Sequence, residues 1–154
     1  MFVPTGQTGI AIAGWGLCVD AVISDFIAGS AERLVVEGQG SITHPAYSGV
    51  TVGLIHGSAP HAFVLCHHAG ATEHVGFPGN PLTPLPELVD LHERLSLRAR
   101  PATVAAIALN TRELDEDAAL AAIAGAAAET DLTVDDPVRF GPDRLLDAVL
   151  AALP

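Results

Sequence analysis

The hydrophobic pattern of this chain switches repeatedly between short apolar runs and longer stretches with helical spacing, the rhythm of a parallel α/β sheet. Leu34–Glu37, Ala62–His67, Val104–Leu109 and the short Thr133–Asp135 read as buried strands. Between them, apolar residues recur at three- and four-residue intervals. Val22, Ile23, Phe26 and Ile27 form such a stripe in a helix predicted over Asp20–Arg33. Further helices are expected at Tyr47–His56, after the turn at Pro45, and at Leu85–Arg98, with Pro86 tolerated in the first turn. Asp115–Glu129 reads as an Ala-rich helix, acidic at its start as the macrodipole prefers, and Pro142–Leu153 as a closing helix. Phe2–Pro4 reads as a strand remnant running into a turn over Thr5–Gly9, while Ile10–Gly16 is apolar, interrupted by glycine and without a clear period. Ala69–Pro86 is long for a loop without structure of its own, which places it among segments that cover functional sites. Arg33 passes directly into Leu34 with no turn, so the preceding helix is expected to fray early or to pack unusually.

Composition narrows the class of partner. The 154 residues suit one domain, and 49% hydrophobic content supports a core. With only 5% aromatic residues, that core must be built from Ala, Val, Leu and Ile. Eighteen acids against seven basic residues give a formal charge of −11, which argues against a nucleic-acid partner. Small anions can still bind locally at helix N-termini or single arginines. Cys18 and Cys66 have neither metal-ligand nor disulfide-framework spacing, and read as two buried thiols in a reducing compartment. No basic segment precedes an apolar core in the first twenty residues, and no apolar run approaches the ~20 residues needed to cross a bilayer. A cytoplasmic protein acting on a small molecule, with no membrane partner, is the resulting expectation.

The candidate chemistry gathers where strands are expected to end. Leu34–Glu37 delivers one carboxylate into Gly38-Gln39-Gly40, a turn whose glycines let backbone approach a ligand closely. Glu37 is the leading candidate for catalysis, and for holding Mg2+ directly or through water. In P-loop-type nucleotide-binding folds the partner of such an acid is a glycine-rich loop ending in Gly-Lys-Ser/Thr. Every basic residue here is an arginine, so that loop cannot exist in this chain, and the sequence reads as the downstream part of a larger catalytic domain. Thr5, Gly6, Gln7 and Thr8 offer uncharged hydrogen bonds in a turn placed at a strand's carboxyl end, where open α/β sheets bind ligands. Asp20 either caps its helix or serves as a second acid that binds metal or orients a substrate amine, with Asp25 nearby. His44 and His67 follow successive strands and are candidate general bases for removing an amine proton. A zinc site from Cys66, His67 and His44 is disfavoured, because adjacent strand residues face opposite sides. His56, His61 and His92 fall on helices or helix ends and read as structural or solvated. Arg139 could grip a phosphate or carboxylate, or pair with Asp135 or Asp136.

Seven stretches, in order, resemble the D-glutamate N-acetyltransferase family, a bacterial and archaeal family long described as a domain of unknown function. They are Thr5–Ile10, Val19–Gly29, Val36–Ser41, His44–Thr51, Leu65–His67, Leu109–Thr111 and Asp136–Arg139. The resemblance covers essentially the whole chain. It implies a partial P-loop NTPase-like parallel sheet with flanking helices, similar to dethiobiotin synthetase, in a single N-terminally incomplete domain. It also implies acetyl transfer from acetyl-CoA to a D-glutamate-like amine, with Asn110 placed against a nucleotide base; an Asx-turn is the local alternative for Asn110. The competing expectations are an ATP- and Mg2+-dependent synthetase, or a non-catalytic remnant or half of a split protein. Family members carry a small N-terminal domain, the phosphate loop and a first helix ahead of this sequence, and about a dozen further residues before the strand at Leu34. The expected partner is therefore a second copy or the N-terminal half.

Overall fold

The computed structural model describes residues 8–13, 33–38 and 41–154. Five strands form one parallel sheet: β1 (Thr8–Ala13), β2 (Arg33–Gly38), β3 (Ala62–His68), β4 (Thr103–Asn110) and β5 (Thr133–Asp135), in spatial order 2-1-3-4-5. Four helices are described: α1 (Ser48–Ser58), α2 (Leu85–Leu95), α3 (Glu116–Thr130) and α4 (Asp143–Ala152). From β2 onward each strand leads through a helix to the next, as parallel neighbours require.

The expected α/β alternation is what forms, with most boundaries moved by a residue or two. Local chemistry explains the good agreement. Asp115 caps α3 by accepting Ala118 N at 2.8 Å, and Pro86 sits in the first turn of α2. Two expectations change. Arg33 opens β2 rather than closing a helix, so a helix over Asp20–Arg33 cannot reach its predicted end; Asp20, Asp25 and the rest of that segment lie outside the described residues. Thr8 and Gly9 open β1 rather than belonging to a turn, and the strand runs on through Ile10–Ala13. The physical cause is pairing: β1 is bonded to β2 on one side and β3 on the other, and ladder bonds on both edges outweigh its weak local pattern.

One bulge sets which residues face which helices. Phe63 pairs with Val104 but Val64 pairs with Ala106, so β4 holds an extra residue there. Phe63, Leu65, Val104, Ile107, Leu109 and Val134 consequently share a face and form the main core with Ile55 of α1, Leu85 and Leu88 of α2, and Ile123 and Ala126 of α3. Val64, Ala105 and Ala108 meet Val149 and Leu153 at α4 on the other face. Phe63 and Ile107 are essentially inaccessible, each a burial worth about 1.5–3 kcal/mol. The amino-terminal edge is tied by side chains: Glu93 Oε1 accepts Val104 N at 2.9 Å, His56 Nε2 bonds Leu95 O at 2.9 Å, and Arg100 donates to Ala59 O at 3.2 Å. His56 is thus a surface tie and His92 a buried core residue. Among the described residues, no helix is long and apolar enough to cross a membrane.

Candidate functional site at the carboxyl edge of the sheet

The chain leaves β1 toward β2 and later returns to β3 on β1's other side. Strand order therefore reverses beside β1, and the crevice beyond the carboxyl ends there is where open α/β sheets bind ligands. Glu37 lies one residue from the end of β2, opposite Ile12, which in turn lies opposite Val64. Side chains level across a parallel sheet point the same way, so Glu37 shares the α4 face with Val64 and Cys66. Consistently, the Cys66 thiol is pushed up by desolvation and then by the charge of Glu37. The pair therefore stands close across the end of β1. Contrary to the buried-thiol expectation, Cys66 is an exposed residue. Cys18 lies outside the described residues.

His67 pairs with Leu109 and so faces the α1–α3 side, away from Glu37. Burial, then the neighbouring His68, lower its pKa, so the ring is unprotonated at neutral pH. His68 faces the other way, with Nε2 3.9 Å from Glu113 Oε1. Among the described residues, no three His, Cys, Asp or Glu side chains converge as metal ligands, so Cys66, His67 and His44 do not make a zinc site.

His44 is held more completely than any other candidate. Its Nδ1 accepts the backbone N–H groups of Ala46 at 3.1 Å and Tyr47 at 3.2 Å, just ahead of α1. Phe77 and His74 stand edge-on to its ring at 4.7 and 5.0 Å, and Tyr47 lies tilted at 4.7 Å. The contacts of Phe77 and His74 reveal what the long segment after β3 does. It folds back on itself, with Leu82 N bonded to Thr72 O and His74 N to Asn80 O, and lays His74 and Phe77 on His44. His74 is a participant the sequence reading missed; its only local signal was its place in a long Gly/Pro-rich loop.

A second cluster closes the far end of the edge. Asp136 Oδ2 accepts both the backbone N–H and the hydroxyl of Thr111, at 2.9 and 2.5 Å, and Oδ1 accepts Val138 N and Arg139 N. Burial alone would raise the Asp136 pKa, but these hydrogen bonds outweigh it and hold the carboxyl below its ordinary value. Arg139 Nη2 donates to Thr111 O at 2.9 Å and Leu114 O at 2.8 Å, so this guanidinium staples the β4–α3 loop instead of pairing with Asp135 or Asp136. Asp135 pairs with Arg144 at 3.0 Å. Asn110 Oδ1 accepts Arg112 N at 3.1 Å, the Asx-turn arrangement, leaving its amide nitrogen for other partners.

The expected set is thus partly united and partly divided. Glu37, Gly38, His44, His67 and Asn110 all lie along the carboxyl edge, with Glu37 on one side of the sheet and His67 on the other. Thr8 opens β1 at the amino-terminal edge, level with Arg33, so it does not join them. Thr5, Gly6, Gln7, Asp20, Gln39 and Gly40 lie outside the described residues.

Four histidines have lowered pKa values through burial: His61, His67, His74 and His92. The unfolded chain, titrating near the ordinary value of about 6.5, then binds more protons than the native state just below that pH. Stability is therefore full above about pH 6.5 and is lost as pH falls toward the lowered native values. Urea midpoints should drop between pH 7.5 and 5. The slope should be shallower in His92→Leu, which removes a fully enclosed ring whose burial is the leading cause of its shift. Equal slopes in the two proteins would exclude His92 as a contributor.

These features define a doubly wound parallel α/β domain with a polar site at the carboxyl edge beside its switch point. The chain belongs to the DUF1611 family: residues 1–146 match its C-terminal P-loop domain, a domain of unknown function. A D-glutamate N-acetyltransferase from Tritonibacter scottomollicae is 42% identical over 161 aligned positions, covering 97% of this chain and 48% of that protein. A second D-glutamate N-acetyltransferase, from a Pseudoalteromonas species, is 47% identical over 92 positions, covering 50% of this chain and 28% of its own length. The crystal structure of a DUF1611 family protein from Anabaena variabilis superposes with a TM-score of 0.77 at 39% identity, covering 95% of this chain and 49% of that one. The chain thus spans about half the length of the Tritonibacter relative, or less for the Pseudoalteromonas protein. The Tritonibacter alignment is longer than this chain's 154 residues, so that relative holds residues with no counterpart here.

Proposed function

We propose that this chain is the acyl-acceptor portion of a D-glutamate-type N-acetyltransferase that takes its acetyl group from acetyl-CoA. The supporting observation is the 42% identity to such a protein through 97% of the chain, a span that takes in the whole carboxyl edge. The amine of the acceptor attacks the thioester carbonyl carbon. A C–N bond forms, the C–S bond breaks, and the amine proton ends on the departing thiolate. This chain's residues suit the acceptor side of that exchange. His67, uncharged at neutral pH, can take the amine proton and return it to the sulfur. Asn110 Nδ2 can donate to a ligand oxygen or base edge, while Glu37, on the other side of the sheet, serves a part of the ligand away from the amine.

The phosphates of coenzyme A fit the described residues poorly. Arg94, Arg112 and Arg144 pair with carboxylates, Arg100 and Arg139 bond backbone carbonyls, and Arg98 lies between α2 and β4, at the opposite edge of the sheet. No step is therefore assigned to a phosphate site within these residues, and a partner segment carrying a lysine loop is the natural holder. The chain alone should bind acetyl-CoA and ATP more weakly than micromolar, as calorimetry would record; submicromolar affinity for either would contradict a shared site. Grafted in place of the matching half of the Tritonibacter protein, it should support acetylation of D-glutamate in preference to L-glutamate without ATP or Mg2+. A strict ATP and Mg2+ requirement would favour the synthetase-like alternative, with Glu37 on the metal.

A further inference from the structure

His44 looks like a general base by its residue type and its place after β2. Its hydrogen bonds point to a different office. Both N–H donors directed at Nδ1 come from the main chain, at residues 46 and 47, and cannot reverse their polarity. Nδ1 is therefore an acceptor, and the proton of the neutral ring lies on Nε2. A base needs a free nitrogen lone pair facing the proton it removes. In His44 one lone pair is already shared by two donors, and the other nitrogen carries hydrogen. Turning the ring over would break both bonds and put a carbon where the two N–H groups point. His44 is 8% exposed, so the tautomer is set by protein rather than by solvent.

The same cluster holds unspent polar capacity. His74 is 7% exposed, and its Nε2 is buried with no hydrogen-bond partner among the described residues. Native structures rarely leave such an atom unsatisfied without a ligand or water to meet it. Nor does any bond within the described residues engage His44 Nε2. Two adjacent imidazoles, one with a dictated N–H and one with an orphaned nitrogen, are suited to receive an oxygen atom. We propose that His44, supported by His74, is an uncharged hydrogen-bond donor for a carbonyl or carboxylate oxygen, and not the base of the reaction. Where acyl transfer is the function, a role that rests on the reading above, the oxygen served is the thioester carbonyl, which gains charge as the C–N bond forms. An uncharged donor directed at that atom lowers the barrier without moving a proton. Proton removal then falls to His67.

Long-range 15N–1H spectra of the labelled chain test this directly. At pH 7.5, His44, assigned by the signal lost in His44→Gln, should show Nε2 protonated and Nδ1 unprotonated; an Nδ1–H tautomer overturns the proposal. Acetate and N-acetyl-D-glutamate, at millimolar concentration, should both move the His44 Nε2–H proton downfield. His44→Gln, whose amide donates but cannot act as a base, should bind N-acetyl-D-glutamate within about threefold of the parent, and His44→Leu about tenfold more weakly, the loss of one hydrogen bond. No movement with either probe, or unchanged binding by a folded His44→Leu, overturns the oxygen site. A response to acetate but not to N-acetyl-D-glutamate would leave this site standing and sink the D-glutamate reading instead.

Discussion

Asp136→Ala should lower the unfolding free energy by about 4 kcal/mol, because it removes the acceptor of two buried and two part-buried donors at once. Thr111 is fully enclosed and directs both its N–H and its hydroxyl at Oδ2, while Val138 and Arg139 direct their N–H groups at Oδ1. Without the carboxylate the two Thr111 groups are stranded where water cannot replace it, while the N–H groups of the exposed Val138 and Arg139 can turn to solvent. For a chain of this size the thermal midpoint should fall by about 10 °C. Asp136→Asn should fall between, since its amide keeps one acceptor oxygen and presents a donor to the other set. Thr111→Val, which loses only the hydroxyl bond, should cost about 1–2 kcal/mol. A midpoint for Asp136→Ala within about 2 °C of the parent would mean that the β4–β5 end is held by packing alone.

Glu37→Gln should have the opposite profile. Glu37 is half-buried, with no bonded partner among the described residues, so the amide can occupy its place with little change in midpoint. In the grafted enzyme, turnover should fall about a hundredfold, the scale of losing a charged hydrogen bond that positions the ligand. The substitution should also lower the Cys66 pKa, since the Glu37 charge is one of the two influences raising it. Titration of Cys66 with a thiol reagent across pH reads this effect without any substrate. Early unfolding with normal residual activity would make Glu37 a structural residue, and an unmoved Cys66 titration would place the two side chains apart.

The sequence by itself determined the α/β class, the order of its main strands and helices, and the edge where the chemistry gathers. These signals are local. Runs such as Ala62–His67 and Val104–Leu109 are apolar for strand-like lengths, Asp115 and Pro86 start helices through contacts within a turn, and the Asn110 side chain folds onto Arg112 two residues away. Even the family was legible, because its motifs are contiguous.

Only the tertiary structure decided the rest, since it depends on partners distant in the chain. Thr8–Ala13 is a strand because β2 and β3 lie on both sides of it, although Gly9 and its small neighbours carry no period. Alternation along β3 set His67 against the helices α1–α3, with the bulge beside Ala105 bringing Leu109 level with it, while the opposite parity put Glu37 with Cys66 on the α4 side. Arg139 sits beside Asp135 and Asp136 in sequence yet bonds carbonyls more than twenty positions away, because the β5 end packs against the loop after β4. His44 offered a titratable ring and no hint of its tautomer; that followed from where the backbone of Ala46 and Tyr47 turned and from the long loop that brought His74 and Phe77 to it. Residue type sets which chemistries a side chain can perform, and the donors folded around it select one of them.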